Sequence, residues 1–392
     1  MSTPSYDAIM IGGGLMGCAT AYYLMKADDS LKVAIIEMDP TYEKASTPLS
    51  DGNIRVQFSL KENIQISQYG LEVVDRFAQE MAVGDQQPDL AFRRQGNIFL
   101  VDEEGRAEAE ERLALQKSLG CQVEWLTPVG ITERHPLLDT HTCAGGTWGR
   151  GDGTMDPWAL LVGYKDKAIS LGAQYVHGQV TDLLSSGSSI AGVELSSGDR
   201  LASNHVVNSA GAWAPQVSRV LGIELPVLPI NRQVFVIETN ARPDTTLPMI
   251  MFPSGLYLIH EQEGLFMCGK SLPDDPVGYD LTWDRQTFME SLWPELVDYV
   301  PSFDRLKVTR GWGGLYAVNT LDGNAIVGEW PELAGFYLAT GFSGHGFQQA
   351  PAVGRYLAES IMGQPPSLDL SIFSPRRILE NKPVYESKRM LI

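Results

Sequence analysis

The sequence predicts an α/β protein of two domains, one of them discontinuous, and three observations carry that expectation. The chain opens with a strand, a glycine-rich turn, a helix and a second strand over residues 7–37. Near the other end, residues 335–361 repeat the passage from an apolar strand through glycines into a helix. Between them, residues 225–320 are rich in short alternating strands, the pattern of a mixed or antiparallel sheet.

The opening unit is the most informative. Asp7–Ile11 is a short apolar strand that runs into Gly12-Gly13-Gly14-Leu15-Met16-Gly17, a G-x-G-x-x-G pattern. Small and apolar residues follow from Cys18 to Leu24, and the next strand, Lys32–Ile36, ends on Glu37. Gly12 allows the tight turn, Gly14 admits a pyrophosphate to the backbone, and Gly17 lets the helix lie against the sheet. The helix start offers free N–H groups and a positive dipole end to phosphates. Glu37 stands where a ribose hydroxyl is bound. Strand, turn, helix, strand and acid in register predict a dinucleotide site.

Composition narrows the classes. At 392 residues with 44% hydrophobic content the chain can build two cores. Its 48 acidic against 30 basic residues give a net charge of −18, which argues against nucleic acid or an anionic membrane as partner. There is no apolar run of transmembrane length. The first strand begins by residue 7, which leaves no room ahead of it for a secretory signal. Cys18, Cys121, Cys143 and Cys268 are widely spaced, so free thiols in a reducing, cytoplasmic compartment are expected. The six histidines show no metal-ligand spacing, and no metal site is expected.

In order along the chain, residues 45–53 form a polar loop near the cofactor, leading to Ile54–Phe58. An amphipathic helix spans about 61–80, with Ile64, Leu71, Val74, Phe77 and Ala78 on one side. Residues 92–101 are a turn and a strand, 104–119 a charged surface helix, and Thr127–Ile131 and His135-Pro136 loop signals. Gly153–Pro157 opens a helix to about Leu171, and a strand starts at Gly172–Val176. A meander follows over 180–202, then a buried strand, His205–Ser209, meets a glycine turn at Gly211. Residues 1–85, 150–220 and 321–392 are assigned to the dinucleotide domain, and 86–149 and 221–320 to a sheet-rich substrate domain.

The turn Gly341-Phe342-Ser343-Gly344-His345-Gly346 precedes a helix from about Phe347 to Ile361. Its start would stabilise negative charge, such as that on the pyrimidine side of a reduced flavin.

With these segments in view, the chain resembles the FAD-dependent amine and amino-acid oxidoreductases, which include monomeric sarcosine oxidase, glycine oxidase, D-amino-acid oxidase and dimethylglycine dehydrogenase. The resemblance is carried by Gly12–Gly17 with Glu37, by Gly153–Pro157, by Asn208–Trp213, by Gly341–Phe347 and by the closing Asp369–Arg377. It implies a glutathione-reductase-like FAD domain with a sheet forming a pocket over the flavin. The cofactor contacts it implies are Gly12, Gly14, Leu15, Met16, Gly17, Glu37 and Met38; Ser46, Thr47 and Ser50; Val180, Gly211 and Trp213; and Gly344, His345, Gly346, Phe347 and Gln348. Arg55 stands where sarcosine oxidases bind the substrate carboxylate, and Gln348 where they keep a lysine. Tyr316, with Tyr257 and Trp312, would wall the amine by cation–π contact, and His345 would lie beside the flavin edge.

Two departures from the family bear on the cofactor. Gly314 replaces the cysteine that holds flavin in sarcosine oxidase, and residues 45–53 lack the histidine that holds it in dimethylglycine dehydrogenase. FAD is therefore expected to be non-covalent. The oxygen-activating lysine is replaced near Met267, with Lys270 close by, so the acceptor is oxygen or another electron carrier. The expected activity is oxidation of a secondary or tertiary amine, an N-methyl amino acid first, by hydride transfer to flavin N5 and hydrolysis of the imine. The alternatives are deamination of glycine or a D-amino acid, and a non-catalytic assembly flavoprotein.

Overall fold

A computed structural model describes residues 3–387. Its central sheet has six strands in the order Ile326–Glu329, Phe336–Thr340, Val206–Asn208, Ala8–Ile11, Val33–Glu37 and Gln174–His177. All neighbours run parallel except the first pair. Ala8–Ile11 and Val33–Glu37 are buried along their whole length, as sheet strands covered on both faces must be.

One face is covered by the helices Leu15–Ala27, Pro157–Ser170 and Gly346–Ile361. The first and last approach closely because Gly354 has no side chain: a Cβ there would stand 2.8 Å from the backbone of Ala19. The Lys61–Glu80 helix buries Ile64, Ile66, Val73 and Phe77. Of the side expected from spacing, Ile64 and Phe77 are buried while Leu71, Val74 and Ala78 are half-buried, and the helix meets the Gly346–Ile361 helix at Gly70. Pro157–Ser170 starts where Asp156 accepts from the N–H groups of Trp158 and Ala159, with Pro157 in the first turn. On the other face lies a meander of Val180–Ser186, Ser189–Leu195 and Arg200–Ser203, extended by Ser5–Tyr6.

The second large sheet has eight strands, and two of them are long. Val227–Thr239 pairs with Leu306–Asn319 over almost their full length, antiparallel, with one irregularity between Val236 and Ile237. Leu265–Gly269, Tyr257–Gln262, Met249–Met251, Asn97–Val101, Gly145–Gly149 and Val123–Leu126 complete it. Only Met249–Met251 and Asn97–Val101 are parallel neighbours.

Two segments differ from the sequence reading. Pro128–Arg134 is a helix rather than a loop: the Thr127 side chain accepts from the Gly130 N–H, and proline occupies the first turn. Threonine followed by proline is a helix start as well as a turn signal, and Ile131 supplies the buried contact that decides between them. Residues 285–304, inside the strand-rich stretch, are a run of short helical turns that bury Phe288, Leu292, Leu296 and Phe303 against the eight-stranded sheet. Among the described residues no helix is long and apolar enough to cross a membrane.

Candidate active site

The loops at the carboxyl ends of the parallel strands enclose a cavity of about 720 Å³. At one end the Leu15–Ala27 helix begins without a side-chain cap, leaving its first N–H groups free for a ligand. Gly12 turns with φ +95°, and a Cβ at Gly14 would meet nothing within 4 Å, so the turn is open on the cavity side. Gly17 faces away from the cavity; a side chain there would collide with the Gly12 carbonyl, which is why the helix can pack against the turn. Glu37 is buried, and its carboxylate accepts from the N–H groups of Gly13 at 2.7 Å and Asp39 at 2.9 Å. Burial pushes its pKa up despite these bonds. Each oxygen still has a lone pair for a ribose hydroxyl.

Around the same cavity stand Leu15, Met16 and Met38, the loop residues Ser46, Thr47 and Ser50, and Val180, Gly211 and Trp213. Ser46 is tied to the long strand through its hydroxyl, which donates to the Leu315 carbonyl at 2.6 Å. Trp213 stacks on Tyr279 with ring centroids 5.3 Å apart. Gly344, Gly346 and Phe347 line the cavity at the start of the Gly346–Ile361 helix, close to Met16 of the first helix; this start also lacks a side-chain cap. Two neighbouring uncapped helix starts lining one cavity, with a buried acid beside the first, fit the pyrophosphate and flavin of a bound FAD. Among the described residues the lining of this cavity contains no cysteine or histidine, and Gly314 is part of it.

A smaller cavity of about 30 Å³ adjoins the large one and shares Ser50, Asp51, Tyr257, Tyr316, Ser343, Gly344 and Phe347 with it. Here Arg55, His345 and Gln348 converge. Arg55 is placed by a buried polar frame. Asn53 and Asn97 exchange amide hydrogen bonds of 3.0 and 2.9 Å, fixing the loop to the eight-stranded sheet. The Arg55 N–H donates to Gln348 Oε1 at 2.8 Å, and the Val56 N–H to Asp152 Oδ1 at 3.1 Å. The guanidinium lies over the rings of Phe58 and Phe99, 5.1 and 5.8 Å from their centroids. Arg55 is buried, its Nε and Nη2 have no hydrogen-bond partner among the described residues, and burial lowers its pKa.

His345 is also buried, with Nε2 unpartnered among the described residues, and burial together with the Arg55 charge pushes its pKa down to about 3. It is a neutral imidazole at physiological pH. Tyr257 and Tyr316 line both cavities, and burial raises the pKa of each, that of Tyr316 to about 12. Gln348 is committed to the Arg55 backbone, so it serves the loop as an acceptor and offers no second cation.

Trp312 does not join the expected aromatic wall. Its side chain is absent from both cavity linings and donates to the Leu49 carbonyl at 2.9 Å, bracing the loop.

Among the charged residues of the cavity lining that carried no binding role in the sequence reading are Asp51, Arg232 and Lys270. Asp51 lines both cavities. Arg232 lines the large one and is ion-paired with Asp275, and Lys270 lines it while paired with Glu295 at 2.7 Å. A signal existed for Arg232, a charge inside an apolar alternating strand. None existed for Asp51, one polar residue in a polar loop.

Fold and cavity together define a protein built to hold a dinucleotide cofactor, with a smaller cavity adjoining the large one. A family model described as FAD dependent oxidoreductase, DAO, matches residues 7–360. The chain belongs to this family of FAD-dependent oxidoreductases, and FAD is its cofactor. FAD-dependent oxidoreductase domain-containing protein 1 of Xenopus laevis is 36% identical, covering 97% of this chain and 84% of the relative. Sarcosine oxidase subunit beta of Arthrobacter sp. is 26% identical, covering 91% and 87%. The crystal structure of L-proline dehydrogenase from P. horikoshii superposes with a TM-score of 0.87 at 26% identity, covering 98% of this chain and 100% of that one.

Proposed function

We propose that the protein oxidises the carbon beside the nitrogen of a secondary or tertiary amine that also carries a carboxylate, with an N-methyl amino acid as the leading substrate. The observation that supports this is the Arg55 guanidinium, buried with two nitrogens unpartnered beside the cofactor cavity. A buried cation without a hydrogen-bonded anion costs several kcal/mol, and a carboxylate offsets that cost by filling the planar fork of donors. Two of the similar proteins are named for sarcosine and L-proline, both secondary amines with a carboxylate.

The residues then have separate tasks. FAD, when bound, supplies the two-electron acceptor. Glu37 and the Leu15–Ala27 helix start would hold its ribose and pyrophosphate, and the Gly346–Ile361 helix start would face its pyrimidine side. Arg55 would anchor the substrate carboxylate. Tyr257 and Tyr316 would bound the amine. His345 stays neutral and keeps a second positive charge out of the pocket. The imine product would hydrolyse to an amine and an aldehyde or oxo acid.

The test is anaerobic mixing of the holoprotein with secondary and tertiary amines, with and without a carboxylate, read by flavin bleaching and product analysis. Bleaching by N-methyl amino acids with release of formaldehyde supports the reading. Ammonia as the nitrogen product would replace it with deamination of a primary amine.

A further inference from the structure

We propose that Asp51 binds the ammonium of the substrate and accepts its proton, so that Arg55 and Asp51 together recognise an amino-acid zwitterion. The assignment rests on the amine-oxidation reading above.

Asp51 sits at the junction of the two cavities, and among the described residues it is the sole carboxylate lining the smaller one. Arg55 lines that same small cavity. The two charges feel each other, yet they form no ion pair: no carboxylate of the described residues lies within 4.0 Å of the Arg55 guanidinium. Each is held in place by other groups. Asp51 Oδ1 accepts from the Asn53 N–H at 3.3 Å, and the Tyr257 hydroxyl is positioned to hydrogen-bond its carboxylate. Arg55 is held by its two phenylalanine rings and by the Gln348 contact to its backbone. A cation and an anion kept apart in one pocket match a ligand that carries both charges.

The chemistry needs such an acceptor. Hydride leaves the carbon beside nitrogen only when the nitrogen lone pair is free to form the C=N bond, and an ammonium has no lone pair. At neutral pH the amine arrives protonated. One N–H bond must break and its proton must go to a base: R₂NH₂⁺ and carboxylate become R₂NH and carboxylic acid, with no change of oxidation state. The other titratable groups around Asp51 suit this role poorly. Tyr257 and Tyr316 are held as phenols by burial, and His345 is too weak a base. Arg55, Arg232 and Lys270 are cations, the last two paired with Asp275 and Glu295. Burial raises the proton affinity of Asp51, and the Arg55 charge opposes it. A substrate carboxylate that neutralises Arg55 removes that opposition, so the base strengthens as the substrate seats.

The experiment compares wild-type holoprotein with Asp51→Asn and Asp51→Glu in stopped-flow flavin reduction from about pH 6 to about pH 10, using the best amine of the screen. The amide oxygen introduced by Asp51→Asn keeps an acceptor for the Asn53 N–H, so the loop should hold. The Asn variant should lose about 10²- to 10⁴-fold in reduction efficiency near pH 7. The loss should shrink tenfold per pH unit and vanish near the pKa of the free amine. The Glu variant should recover part of the rate at neutral pH. As a readout apart from turnover, propionate, which has the carboxylate without the amine, should bind Asp51→Asn at least as tightly as wild type, read by perturbation of the flavin spectrum. Equal pH profiles for wild type and Asp51→Asn, or a loss of the same factor at every pH, would overturn the role of Asp51 while amine oxidation stands. Failure of every amine to bleach the wild type would overturn both.

Discussion

The two ends of the cavity are built in opposite ways. The cofactor cavity is anchored by a glycine turn, an uncapped helix start and one acid, all within residues 12–37. The end proposed for the substrate is side chains drawn from across the chain, with the Arg55 N–H bonded to a residue 293 positions away. At the cofactor end, function and fold use the same atoms, so a change there is felt by both. At the substrate end, buried polar groups stand unpartnered at Arg55 and His345. Their replacement should harm activity far more than folding.

The largest effect that would sharpen this contrast is at Arg55. Arg55→Ala removes the partner of a buried carboxylate, which costs about 3–5 kcal/mol, or roughly 150- to 5000-fold in flavin reduction by a carboxylated amine. Thermal stability of the holoprotein should change little. A variant that reduces normally would remove Arg55 from the anchor role. Glu37→Gln tests the opposite end. A glutamine offers one acceptor where Gly13 and Asp39 need two, and a ribose loses a charged partner worth about 1.5–3 kcal/mol. Both FAD affinity and apoprotein stability should fall; a fall in affinity alone would break the contrast. Gly17→Ala should cost about 1–3 kcal/mol in stability, because its methyl meets the Gly12 carbonyl. Apoprotein melting measures it.

Asp152 tests the frame beneath Arg55. It is fully buried, and burial pushes its pKa from 3.8 up to about 7. A carboxyl raised in the folded state contributes stability below its unfolded pKa that is lost as pH rises from about 4 to about 7. Asp152→Asn removes that loss while keeping an acceptor for the Val56 N–H. The free Gln57 Oε1 can turn to meet the new amide. The variant should therefore gain about 2 kcal/mol more at pH 8 than at pH 5.5 in denaturant unfolding. An equal gain at both pH values would mean that Asp152 is already ionised in the fold. The smallest expected effect is none at all: with Gly314 in the cavity wall, acid-denatured chain should retain no flavin.

Legibility in the sequence follows the same division. The Lys61–Glu80 helix was readable because its burial depends on its own apolar spacing. The strands Val227–Thr239 and Leu306–Asn319 were readable only in pieces. Arg232, Gly314 and Tyr316 interrupt their alternation where the strands face the cavity. Pro128–Arg134 was missed because a helix start and a turn share the same residues, and one buried isoleucine settled the matter.

By itself the sequence pointed to a cofactor cradle over residues 12–37, because turn, helix start and acid act through backbone geometry between near neighbours. It also marked Arg55, Tyr257, Tyr316, His345 and Gln348 as a set through resemblance. Tertiary structure alone decided what that set is. It gave Gln348 to the Arg55 backbone, turned Trp312 to the Leu49 carbonyl, and brought Asp51 into the pocket without letting it close on Arg55. The physical reason is that a buried charge takes its meaning from what surrounds it, and those surroundings come from strands and loops distant in the chain.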